Sequence, residues 1–143
     1  MHNAFSNSIR ISRRFLRSVR IDDDYGRTDA LDGFVLQPSS RIALDSLSRH
    51  INETQQRAFT WTGPYGGGKS SLALAMLSLI HPNKGVQAQA RKVLGIQRGN
   101  IVYKAFETSG QESWVALPIV GSRSSVVDSI AAAIDAMTAR WCI

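Results

Sequence analysis

The sequence predicts an α/β fold, a three-layer core around a parallel sheet that is incomplete. Three observations predict it. Residues 57–62 (Arg-Ala-Phe-Thr-Trp-Thr) are rich in β-branched and aromatic side chains, the composition of a strand. A glycine-rich loop and a strongly apolar segment, residues 69–80, follow at once, and a segment apolar on most faces reads as a buried helix. Residues 114–120 (Trp-Val-Ala-Leu-Pro-Ile-Val) read as a second, buried strand, with Pro118 pointing to an edge or an irregular end. A strand, a helix and a strand in that order predict parallel pairing through a right-handed crossover.

The other elements follow from periodicity and punctuation. Residues 33–36 are a short apolar segment that Pro38 stops. Ser39 or Ser40 can cap a helix running to about His50, with Ile42, Ala43, Leu47 and Ile51 on one face. Residues 85–95 suggest a further helix, with Gly95 suited to its C-terminal cap. Residues 101–106 are readable as helix or strand. After a turn at 121–124, Ser122 or Ser124 can cap a final helix whose apolar stripe is Val127, Ile130, Ile134, Met137 and Trp141. Residues 1–32 are expected to be an N-terminal arm and loop, and residues 33–143 the N-terminal portion of the domain.

Composition narrows the classes of function. The 143 residues are 43% apolar and 20% charged, the balance of a soluble globular chain. No apolar run approaches the roughly 18 residues of a membrane span. A single cysteine, Cys142, rules out an intrachain disulfide and a cysteine-rich zinc site, and fits a reducing cytoplasm. The net charge of +6 favours an acidic partner, nucleotide or nucleic acid, although a solvated basic surface explains it equally. The charge is uneven. Arg10, Arg13, Arg14, Arg17 and Arg20 precede an acidic loop of Asp22, Asp23, Asp24, Asp29 and Asp32. The arginine arm is suited to phosphate contacts on nucleic acid, to pairing with the aspartates, or, by its freedom from acid, to a mitochondrial presequence.

Chemistry concentrates at one place. Gly63, Pro64, Tyr65, Gly66, Gly67, Gly68, Lys69 and Ser70 match G-x-x-x-x-G-K-[ST] in full, the P-loop pattern. A triphosphate needs several N–H groups converging on it, and only a tightly wrapped chain supplies them. Glycine permits the backbone angles that such a wrap demands. The helix beginning near Lys69 adds free N–H groups and the positive end of its dipole. Lys69, the expected catalytic cation, reaches the β- and γ-phosphates, Ser70 offers a hydroxyl to Mg²⁺, and Ser71 is a plausible α-phosphate contact. ATP and Mg²⁺ are therefore the expected ligands. An Asn-Lys-x-Asp guanine signature is missing, since Asn83-Lys84 lacks the aspartate.

With its flanks, this loop resembles that of the AAA-type and STAND-type P-loop ATPases, the origin-recognition-like branch most of all in layout. The run WTGPYGGGKSSLALAML also looks like the N-terminal region of large bacterial ATP-binding proteins of uncharacterised or anti-phage type. The resemblance implies that residues 33–36 and the helix over 41–51 pack near the adenine. It implies ATP hydrolysis in a full-length form, and further subunits or the remainder of the ATPase as partners. One part of the pattern is missing. No apolar strand ending in Asp or Asp-Glu follows the loop, so the chain is expected to be the N-terminal part of a longer ATPase, binding nucleotide but hydrolysing it poorly. Asp128 and Asp135 suit solvent better than metal, and Asp22, Asp23, Asp24, Glu107 and Glu112 are the acids to consider should hydrolysis occur. The competing functions are a non-hydrolysing nucleotide switch and a small-molecule kinase, for which a lid or substrate signature is missing. Core packing is expected of Trp61 and Trp114, ordinary surface or capping positions of His50 and His81, and a surface position of Arg123.

Overall fold

In the computed structural model the described residues are 19–54, 56–107, 114–121 and 123–141. Their regular elements are six helices: α1 (Ile21–Asp24), α2 (Pro38–Glu53), α3 (Lys69–Leu79), α4 (Lys84–Leu94), α5 (Ile101–Phe106) and α6 (Val126–Trp141). The most extensive helix contacts join α2 to α5 and α3 to α4, and α1 lies against α3.

This arrangement overturns the expected α/β class. Among the described residues there is no strand and no sheet, so the parallel pairing and its crossover are absent as well. Residues 57–62 and 114–120 lie outside regular secondary structure, and neither forms a backbone ladder. Strand composition measures fitness for a half-buried extended surface, and a helical surface meets that need. Phe59 and Trp61 pack their side chains against the helical core. The 114–120 segment leaves Trp114, Val115, Ile119 and Val120 exposed, so Trp114 is not the core residue its composition suggests.

α3 shows why the core is helical. Leu72, Leu74, Ala75, Ser78 and Leu79 are all buried, and the helix has no continuous polar face. Ser78 returns its hydroxyl hydrogen to Leu74 O at 2.8 Å, so its burial leaves no unpaired polar atom. Around α3 gather Leu44 and Leu47 of α2, Ala90 and Leu94 of α4, and Val102, Ala105 and Phe106 of α5. Leu31 belongs to the same cluster, with Val19 and Tyr25 packed against it.

Several boundaries differ for local reasons. α2 begins at Pro38, whose fixed φ and missing N–H suit a first helical position, and the preceding Gln37 makes no side-chain cap. Ser39 and Ser40 therefore lie inside the first turn and do not cap it. The buried face of α2 is Leu44, Leu47 and Ser48, while Ile42 is exposed. α4 starts one residue before the expected position, where Asn83 accepts from Gly85 N–H at 2.8 Å, and it ends at Gly95 in the left-handed conformation, φ 63°. Residues 101–106 resolve as helix, with Asn100 accepting from Val102 N–H. At α6 the serine that accepts from Asp128 N–H, at 3.1 Å, is Ser125, the residue after the expected Ser124. The apolar stripe of α6 is exposed at Val127, Ile130 and Ile134. The arginines at 10, 13, 14 and 17, Glu112, Ser122, Cys142 and the Trp141 side chain lie outside the description. No helix among the described residues is long and apolar enough to cross a membrane.

His81, expected at an ordinary surface or capping position, instead packs edge-on against Tyr25 with ring centroids 4.9 Å apart. Its Nδ1 accepts from Asn83 N–H at 3.0 Å, which requires an unprotonated Nδ1. Burial lowers its pKa from the ordinary 6.5, so the folded chain holds the ring neutral. The unfolded chain takes up the proton first as pH falls, so the His81 contribution is complete above the ordinary value and is lost on acidification.

Two predictions follow from this packing. Leu44→Ala empties a fully buried position and is expected to cost about 2–5 kcal/mol in a denaturant melt; a loss below that of an exposed Ile42→Ala control contradicts the core assignment. Between about pH 7.5 and about pH 5.5, wild type is expected to lose more stability than His81→Gln. Equal losses contradict a neutral, accepting His81.

Candidate nucleotide-phosphate site

Of the three successive glycines in the loop, Gly66 and Gly68 have positive φ and Gly67 does not. Gly66 and Gly68 take φ of 77° and 73°, in the left-handed region where a side chain costs about 1–2 kcal/mol. A tight turn, Gly67 N–H to Pro64 O at 3.3 Å, folds the loop on itself. Gly68 then serves as the residue before α3, and the first helical bond runs from Leu72 N–H to Gly68 O at 2.9 Å. The N–H groups of Lys69, Ser70 and Ser71 precede that bond and so remain available to a ligand. They stand at the positive end of the α3 dipole.

Lys69 curls back over the loop. Its ammonium donates to Gly63 O at 3.0 Å and to Pro64 O at 2.7 Å, which holds a cation inside the curve of the backbone. Ser70 is exposed at the second position of α3, and Ser71 is half-buried beside it. Tyr65 is fully exposed, so of the two positions its sequence allows, over the phosphates or toward solvent, it takes the second.

The loop forms one wall of a cavity of about 750 Å³, within the range of small-molecule sites. Gly66, Gly67, Gly68 and Ser71 line that wall. The facing wall is Gly33, Phe34 and Val35, then Gln37, Pro38, Ser39 and Ser40 at the start of α2. Of the segments that the family resemblance sets beside the adenine, Gly33, Phe34 and Val35 line the cavity, whereas no residue of 41–51 does; α2 reaches it only through Pro38, Ser39 and Ser40. Gln37, Ser39 and Ser40 are lining residues that sequence reading missed, because Ser39 and Ser40 read as caps and nothing in a spacing of some thirty residues ties them to the loop.

Among the described residues none lining this cavity is acidic, and no three His, Cys, Asp or Glu side chains gather as a metal site. The hydroxyls the lining offers are those of Ser39, Ser40 and Ser71. Of the acids considered, Asp22 pairs with Arg20 at 2.8 Å, and that hydrogen bond holds its carboxyl below the usual range. Asp23 also pairs with Arg20, at 3.2 Å. Asp24 accepts from Arg20 N–H at 3.0 Å. Glu107, Asp128 and Asp135 are exposed. His50 is exposed near Phe59, and Arg123 is exposed.

A second cavity, about 440 Å³, is bounded by Tyr25, His81, Pro82, Leu117, Pro118 and Met137 among others, and shares no lining residue with the first. Its walls are chiefly apolar, with Asp22 and Asn83 among them. Compared with protein-family models, with curated proteins and with solved structures, the chain matches none.

Proposed function

We propose that the chain binds ATP as its magnesium complex in the cavity between the glycine loop and the start of α2. The observation that carries this proposal is the joining of two features in one space. A loop with left-handed Gly66 and Gly68 and free N–H groups at Lys69, Ser70 and Ser71 faces an apolar wall at Phe34 and Val35. The first suits phosphates and the second suits a base. Lys69 leaves Gly63 O and Pro64 O for the phosphate oxygens, exchanging two neutral acceptors for charged ones. Ser70 contributes one oxygen to magnesium, whose bound form supplies charge neutralisation at the phosphates. Preference for ATP over GTP rests on the resemblance to AAA-type and STAND-type ATPases.

The lining favours binding over turnover. Phosphoryl transfer depends on charge positioned around magnesium and the attacking water, and the described lining holds glycines, hydroxyls and apolar side chains without a carboxylate. A nucleotide-dependent switch is therefore the role these residues serve most directly, and hydrolysis requires an acid brought from elsewhere.

Titration with a fluorescent ATP analogue and magnesium tests binding. Lys69→Ala is expected to raise the Kd at least about tenfold, the loss of one charge-assisted contact. Equal affinity for the two proteins contradicts the assignment. Phosphate release by the same wild-type protein is expected far below the roughly 1–100 per second of phosphoryl-transfer enzymes. Turnover in that range, abolished by Lys69→Ala, shows a carboxylate reaching the site.

A further inference from the structure

The two walls of the nucleotide cavity belong to different helix pairs. The glycine loop opens α3, which packs on α4, whereas Ser39 and Ser40 open α2, which packs on α5. The width of the cavity therefore depends on how the first turn of α2 is held against the α3–α4 pair. A side chain in that turn does so. The Arg41 guanidinium, through Nη2, donates to Leu94 O, the carbonyl that ends α4, across 53 positions of sequence. Leu94 O is among the last carbonyls of a helix, which have no partner within it. It also stands at the negative end of the α4 dipole, where a cation is favoured. Arg41 is half-buried, and Gly95 passes close enough that a Cβ there would lie 3.4 Å from the same Nη2. Arg41 thus clamps the C-terminus of α4 one residue away from the cavity wall, without itself lining the cavity.

We propose that Arg41 is a positioning residue for nucleotide recognition: by tying the first turn of α2 to the end of α4 it fixes the wall that faces the glycine loop, and so sets affinity for the base and sugar of the ligand but not for its phosphates. The inference rests on nucleotide binding at this cavity. Phosphates are taken by N–H groups at Lys69, Ser70 and Ser71 on the α3 side, which Arg41 does not touch. The remainder of a nucleotide must extend toward Phe34, Val35 and Ser40, whose placement follows α2. Arg41 therefore discriminates between two ligands with the same anionic head, one carrying a base and the other not.

The test is calorimetric titration of the full chain with magnesium-ATP and, separately, with magnesium tripolyphosphate. For Arg41→Ala, the Kd for ATP is expected to rise about tenfold while that for tripolyphosphate stays within about twofold. Arg41→Lys, which keeps a cationic donor able to approach Leu94 O, is expected to recover part of the ATP affinity. Equal losses for both ligands, or no loss for either, overturn the proposal. If Arg41→Ala does not fold, Arg41→Lys alone decides: a smaller loss confined to ATP supports the clamp, and an equal loss or none refutes it. Failure of wild type to bind either ligand is a different result, and it removes the nucleotide assignment itself.

Discussion

Helix α3 must be buried, and most of the structure depends on that constraint. Its eleven residues place leucine or alanine on nearly every side, so no orientation exposes a polar stripe to water. Burying such a helix requires neighbours on several sides, and α2, α4 and α5 supply Leu44, Leu94 and Val102, each fully buried. The N-terminus of α3 then has a fixed direction. The glycine loop that leads into it opens at the surface, where its N–H groups meet solvent or a ligand. Under the proposed function, a phosphate-binding end on a mobile helix would lose entropy on ordering at each binding event, and the hydrophobic core fixes this one beforehand.

The same constraint explains how residues far apart in sequence come to share a cavity. α2 meets the core through Leu44 and Leu47, and this sets its first turn opposite the loop. The buried side chains of α2 are in its middle, so core packing holds the helix axis more firmly than its ends. The Arg41 clamp on Leu94 O and the Asn52 side-chain bond to Ile101 O, 3.0 Å, hold α2 near its two ends. Arg91 stacks over Tyr103 at 5.0 Å and joins α4 to α5. Polar ties of this kind make little of the stability, but they determine which packed arrangement the apolar faces adopt.

How much was legible in the sequence varied with the range of the interaction responsible. α3, α4 and the cap at Gly95 followed from local rules, because helix signals lie within a few residues of the helix. The glycines of the loop were legible in part for the same reason, since Gly66 and Gly68 have positive φ and Gly67, between them, does not. The sheet was not. Residues 57–62 carry strand composition, but pairing is decided by a partner elsewhere in the chain, and Phe59 and Trp61 found apolar helices instead. Ser39 and Ser40 misled because a serine before a helix is a good cap, whereas Pro38 had already begun the helix. His81 showed no motif, and its burial beside Tyr25 comes from tertiary contact alone. Arg41 likewise looked like one arginine among thirteen; only the fold brings Leu94 O within its reach.

The central claim is that the glycine loop and the start of α2 are two walls of one nucleotide site. Hydrogen exchange of the intact chain, followed by mass spectrometry with and without magnesium-ATP, tests it most directly. Slower exchange is predicted at residues 66–71 and at residues 33–40 together, because one ligand spans both. Unchanged exchange at 66–71, or slowing there with 33–40 unaffected, would contradict it.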